Sequence, residues 1–266
     1  MNTGFPGDAT AISLPRAGFW RRGFSFIIDS ILVLIPFQLL AAVLFAATAG
    51  MIQMNAGFFH ICENGKYTPR PLDPPPPHDS NAMRVCKTSF FGATTGASLT
   101  VGCVTREGST TTTVSQSYLL DKEGTQVKAT SLDWIFNLAL LAYLIVMIWK
   151  TGRTYGARAV KVRVVDVANP EAIGLPLGKT VGRFIAMLIG PGPMLVMLIY
   201  QYVAEHGNAD AMFSAGFFRW FIVAAVFGFA WGLVLVVQIV KKTDPVYDRL
   251  AGTAVLVIRT PPPIPA

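Results

Sequence analysis

Four charged side chains, Arg22, Asp29, Arg183 and Asp248, sit where charge is hardest to keep in a chain otherwise short of it. Asp29 lies inside an uninterrupted apolar run over 24–49, about 8 Å past Phe24 at the rise of a helix. A carboxylate there is costly unless it has a partner, a water-filled cavity or a bound proton. Arg22 precedes it by seven residues, on the same helix face but about 10 Å away along the axis, so pairing within the helix is awkward. Partners are expected from other elements. Arg183 at the head of a later apolar run and Asp248 after the last one are the available opposite charges. Such a set could carry an ion or proton across a membrane. It could equally act as a buried ion network that orders helices.

Little else in the chain has catalytic spacing. His60, His78 and His206 are scattered and lack metal-ligand spacing. No nucleophile–base pair, metal triad or phosphate-cradling glycine loop is present, and Gly190-Pro191-Gly192-Pro193 reads as a helix break. An enzyme is therefore not expected, nor a metal or cofactor.

The elements that must position the charges follow from composition. Of 266 residues, 52% are hydrophobic and 14% charged, against roughly 25% charged in soluble domains. Mean hydropathy is +0.49. Apolar runs near 24–49, 134–149, 184–203 and 217–240 alternate with polar stretches. The expected fold class is an all-α membrane protein of about four transmembrane helices, with a small antiparallel β insert on the external side. The boundaries are a cytoplasmic segment 1–23, helix one at 24–49, the insert at 50–132 and helix two at 133–149. A basic connection 150–183, helices three and four within 184–240, and a tail 241–266 complete the chain. The Gly-Pro repeat near the start of run three makes a re-entrant pair the alternative for the last two helices. A cleaved signal in place of helix one is disfavoured, because the run is 26 residues long and contains Asp29.

Basic residues set the orientation. Arg16, Arg21 and Arg22 precede run one. Lys150, Arg153, Arg158, Lys161, Arg163, Lys179 and Arg183 fill the second connection, and Lys241, Lys242, Arg249 and Arg259 follow run four. The third connection, 205–216, has no Lys or Arg and contains Glu205 and Asp210. The positive-inside rule then puts both termini in the cytoplasm, as in a bacterial inner membrane. The net charge of +7 is spread beside apolar runs, which argues against nucleic acid as a partner.

The insert holds all three cysteines. Segments 83–91, 98–106, 111–120 and 126–130 are rich in Val, Thr, Phe and Tyr and are separated by Gly92, Gly96, Gly108 and Gly124, which predicts a meander. A turn at Thr94-Thr95 would set Cys86 opposite Cys103 and make a disulfide feasible; free thiols are the other outcome, since Cys62 is left over. Elsewhere, alternation at Val160, Val162 and Val164 and at Ala254, Leu256 and Ile258 predicts that 160–167 pairs with 253–259 as a cytoplasmic ribbon.

The segment Arg22-Gly23-Phe24-Ser25-Phe26-Ile27-Ile28-Asp29 resembles the signature that opens RDD-family proteins. Thr154-Tyr155-Gly156-Ala157-Arg158 with Val162-Arg163-Val164-Val165-Asp166 is similar to the family's middle motif, and Arg183 to the arginine after it. Val246-Tyr247-Asp248-Arg249-Leu250-Ala251-Gly252-Thr253 is similar to its closing motif. Ala157 stands where the family often has Lys, and the external insert is longer than a minimal member needs. The resemblance implies ion or small-solute transport, sodium–proton exchange being associated with some members, with Arg22, Asp29, Arg183 and Asp248 as the charged set. A pathway through so few helices would also call for a homo-oligomer. The alternative is a non-transporting scaffold or accessory factor whose 50–132 insert binds an envelope partner, with the lipid bilayer as partner in either case.

Overall fold

The computed structural model describes residues 15–66, 68, 70–107, 110–204 and 215–258. The expected turn at Gly108, the acidic residues Glu205 and Asp210, His206 and the tail from Arg259 onward lie outside these. The chain divides into two compact units, Ser30–Leu141 on one hand and Met1–Asp29 with Ala142–Ala266 on the other.

In the first unit, helix α1 (Phe19–Ala47) contributes its residues from Ser30 onward and is followed by strand β1 (Ile52–Gln53). Strands β2 (Phe59–Lys66), β3 (Ala82–Phe90), β4 (Ala93–Glu107) and β5 (Thr110–Leu119) then form a four-stranded antiparallel meander in sequence order. Phe91 and Gly92 connect β3 to β4 with φ of 46° and 87°. Two successive positive φ values are the pattern whose twist matches that of the strands. Leu99, Val101 and Tyr118 from the sheet close a core with Phe45 of α1. Strand β6 (Thr130–Ser131) pairs in parallel with β1 and leads into α2 (Asp133–Thr151). Asp133 ties that junction, its carboxylate accepting from the Asn55 and Ala56 N–H groups and from the Ser131 hydroxyl. Buried Gln53 is satisfied in full: its amide donates to the carbonyls of Gly50 and Leu120, and its oxygen accepts from the Ala97 N–H.

The second unit is built on a ribbon. Helix α3 (Tyr155–Ala159) precedes strand β7 (Val162–Asp166). Then come α4 (Leu177–Met187), α5 (Gly192–Ala204), α6 (Ala215–Val240), α7 (Val246–Ala251) and strand β8 (Thr253–Val257). β7 and β8 pair antiparallel from Val162 opposite Val257 to Asp166 opposite Thr253, as the alternating valines predict. Residues 15–17 add to the free edge of β8, with the Ala17 N–H donating to the Val255 carbonyl and the Val257 N–H to that of Pro15, each at 2.9 Å. Both ribbon faces are buried: Val162, Val164 and Val255 pack with Ala17, Ile148 and Ala157, while Val165, Ala254 and Leu256 cluster separately.

Several expectations are corrected. The chain is not all-α: it is 48% helical and 25% strand, with three sheets among the described residues, because its polar connections fold as strands. Among the described residues three helices, α1, α2 and α6, are long and apolar enough to cross a membrane. The third apolar run is not one straight helix. It is divided between α4 and α5, which meet at 74°. The 13 residues of α5 reach only about 20 Å. Gly190 makes the break possible, since a Cβ there would lie 2.2 Å from the Trp231 ring of α6. The outward side chains of α6, including Trp220, Val223, Val226 and Phe229, form an apolar surface that suits lipid and not water.

The disulfide is also corrected. Cys86 pairs with Cys62, its direct opposite on β2, and Cys103 is a free thiol. The turn falls at Phe91-Gly92 instead of Thr94-Thr95, and a register shift lies between Thr88 and Ser89. Cys86 therefore faces Ser98, and Cys103 faces Val114 on β5.

A buried arginine–aspartate site

Helix α7 is a single turn and a half, opened by Pro245 and stopped by Gly252 in a left-handed conformation, φ 63°. This places Asp248 in the interior with no exposed surface. Its Oδ2 accepts from Arg22 Nη1 at 2.7 Å, and its Oδ1 lies 2.8 Å from Arg183 Nε and accepts from the Thr253 hydroxyl at 3.0 Å. Arg22 also donates to the Ala17 carbonyl at 3.1 Å and the Tyr247 hydroxyl at 3.2 Å. The Arg183 guanidinium lies over the Tyr247 ring, 5.5 Å from its centre. One carboxylate thus serves two arginines drawn from α1 and α4. Removing it would leave both cations buried, a situation far costlier than leaving a surface ion pair unmade.

Asp29 takes different partners from those the sequence offers. Arg183 goes to Asp248, and Asp29, 1% exposed, is held among the described residues by neutral donors alone. Its Oδ1 accepts from the Tyr143 hydroxyl and the Gly156 N–H, each at 2.8 Å, and its Oδ2 accepts from the Thr154 hydroxyl. The Tyr143 oxygen already accepts from the Tyr155 N–H, and the Thr154 oxygen from the Ala157 N–H, so both hydroxyl protons are free to point at Asp29. Thr154 caps α3 with the same oxygen. Gly156 is required by proximity: a Cβ on it would sit 2.1 Å from the Ser25 carbonyl oxygen and 2.7 Å from Asp29 Oδ2.

Arg22, Asp29 and Arg183 line one cavity of about 260 Å³, walled otherwise by apolar side chains such as Phe26, Leu144 and Met187. Arg22 Nη2 is buried without a hydrogen-bond partner among the described residues. Negative and positive groups therefore border a shared space without closing on each other.

Two further pairs flank the site. Lys179 of α4 bridges to Asp166 at the end of β7. Burial works against ionisation of Asp166, but the Lys179 hydrogen bond, the Ala168 N–H and the Lys179 charge together hold its carboxyl below the usual range. Arg16 meets Asp244 at 2.9 Å. Burial lifts the Asp244 carboxyl above its ordinary value despite that arginine, with the nearby Asp248 charge adding to the lift.

Among the residues proposed from sequence, Arg22, Arg183 and Asp248 are brought into direct contact, and Asp29 joins them across the cavity. Tyr143 was missed, and Thr154, Gly156, Tyr247 and Thr253 stood in the motifs without a role. A tyrosine in the middle of an apolar run was the available signal for Tyr143, because a buried hydroxyl needs a partner.

The long apolar helices mark a membrane protein, and its buried arginine–aspartate network lies in the same unit as a small β-ribbon. The chain belongs to the RDD family, whose sequence model matches residues 16–252. No curated protein and no solved structure matches it.

Proposed function

We propose that this RDD-family membrane protein moves an ion or small solute, with Asp29 as the group that takes up and releases the cation or proton. One observation carries the reading: a buried carboxylate, satisfied by neutral donors and in no ion pair among the described residues, borders a cavity of about 260 Å³ that Arg22 and Arg183 also line. A carboxylate saturated by arginines has no capacity left for cargo; one held by hydroxyls and an amide keeps its charge available.

In this reading the protein is not an enzyme and needs no cofactor. Both termini and the basic connection face the cytoplasm of a bacterial inner membrane. Three long helices and a bent pair make a thin wall, so the working form is a homo-oligomer.

The test is reconstitution into liposomes with proton and cation flux recorded. Wild type is expected to conduct, and Asp29→Asn to abolish flux while keeping its fold. Removal of 56–130 with flux retained would separate the insert from the pathway. Absence of flux in wild type refutes the proposal.

A second reading rests on Asp248, whose two arginines and one hydroxyl leave it nothing to exchange. There the network is purely structural, and the protein is a scaffold whose insert binds an envelope partner.

A further inference from the structure

Two lysines, Lys161 and Lys242, hold a left-handed backbone conformation, each with φ of 56°. Glycine takes that conformation freely, whereas a residue with a Cβ is strained in it; each lysine follows a helix end in this conformation, its N–H donating to the carbonyl three residues back, Arg158 and Ile239. These two positions are 81 residues apart in sequence, yet both side chains line the same open groove of about 910 Å³. Among the described residues no ion pair or hydrogen bond engages either ammonium. Arg21 joins them, with one guanidinium nitrogen on the Val160 carbonyl at 3.0 Å and the side chain exposed. Arg16 also borders the groove, but Asp244 neutralises it.

Most of the remaining lining is apolar. Val236 and Val240 come from the last turns of α6, and Trp20, 72% exposed, from the first turn of α1. Two helices that run into the hydrocarbon thus start or end at a cluster of three uncompensated cations. A free inorganic anion would use the cations alone. A molecule with a phosphate at one end and acyl chains at the other uses both the cations and the apolar lining, and an indole at a helix end sits where headgroups meet chains.

We propose that this groove is a binding site for an anionic phospholipid. The headgroup phosphate is held by Arg21, Lys161 and Lys242, and the chains lie along Trp20, Val236 and Val240. The site is separate from the Asp29 cavity and does not depend on transport.

The test is native mass spectrometry of the full chain in detergent, titrated with phosphatidylglycerol or phosphatidylcholine of identical chains. Wild type is expected to retain phosphatidylglycerol in preference. The double variant Lys161→Gly/Lys242→Gly removes both charges and both strained positions. Its melting temperature is expected to hold or rise while its affinity for phosphatidylglycerol falls roughly thirtyfold, at about tenfold or less per lysine. Arg21→Gln, at an unstrained helix position, is expected to weaken the same lipid by several-fold. Equal binding of the two lipids by wild type overturns the proposal, as does unchanged phosphatidylglycerol affinity in both variants. Displacement of the lipid by millimolar inorganic phosphate would make the groove a free-anion site and overturn it too.

Discussion

Replacing Gly156 by alanine tests the close approach on which the Asp29 site depends. In an ordinary helix the change stabilises by about 0.4–1 kcal/mol, since alanine loses less backbone freedom on folding. Here the new methyl would lie 2.1 Å from the Ser25 carbonyl oxygen. A carbon–oxygen contact needs about 3.3–3.6 Å, so α3 must retreat from α1 by roughly 1.2 Å or more. That retreat stretches the Gly156 N–H bond to Asp29, now 2.8 Å, beyond hydrogen-bonding range. Overpacking costs about 1–3 kcal/mol and loss of a hydrogen bond to a charged group about 1.5–3 kcal/mol. The combined loss is about 3–5 kcal/mol, or on the order of 10 °C in melting temperature. Thermal unfolding of the detergent-solubilised protein measures it. Gly178→Ala and Gly182→Ala on α4 are internal controls, because a Cβ at either meets nothing within 4 Å. They should be neutral or mildly stabilising. If Gly156→Ala melts with them, the packing argument is wrong.

Other perturbations probe separate parts of the molecule. Asp248→Asn strands two buried arginines and should cost about 3–5 kcal/mol, read as loss of folded protein on gel filtration; an unaltered yield and melting point would contradict the network. The depressed Asp166 carboxyl contributes stability that is complete above the unfolded value of about 3.9 and drains away as pH falls toward the lower folded value. Acid melting curves should show this and lose it in Lys179→Met; an identical acid limb in that variant would count against the pair. Cys62→Ser should lower the melting temperature of the insert by an amount equivalent to about 3 kcal/mol and abolish its response to reductant, whereas Cys103→Ser should do neither.

The charged set was legible because a bilayer makes ionisable residues rare, and each one must answer for its cost. The β7–β8 ribbon was legible for a related reason, as Val162, Val164 and their partners alternate over enough positions to fix the period. Strand β2 was not. Every residue in it is exposed, so it carries no inside–outside alternation; its ladder to β3, the Cys62–Cys86 bond and contacts of Phe59, His60 and Asn64 with Phe91, Thr88 and Arg84 hold it. Missing that edge strand moved the predicted disulfide to Cys103. The meander turn was misplaced because Phe91 takes a positive φ that asparagine or glycine would normally advertise. The Gly-Pro break was visible between α4 and α5, but the angle was not, being set by how Gly190 meets Trp231. Asp29 could be identified as needing company, while its choice of hydroxyls over Arg183 depends on where α3 lands.

The pairing of residues 15–17 with β8, together with the contact of Arg22 and Asp248 across 226 positions, makes assembly wait for the far end of the polypeptide. At roughly 5–20 residues per second a ribosome takes about 10–45 s to travel between them. Throughout that interval the first helix carries its arginine without the carboxylate that will neutralise it. A nascent chain truncated before α7 can never complete the match, and its arginine stays without that carboxylate.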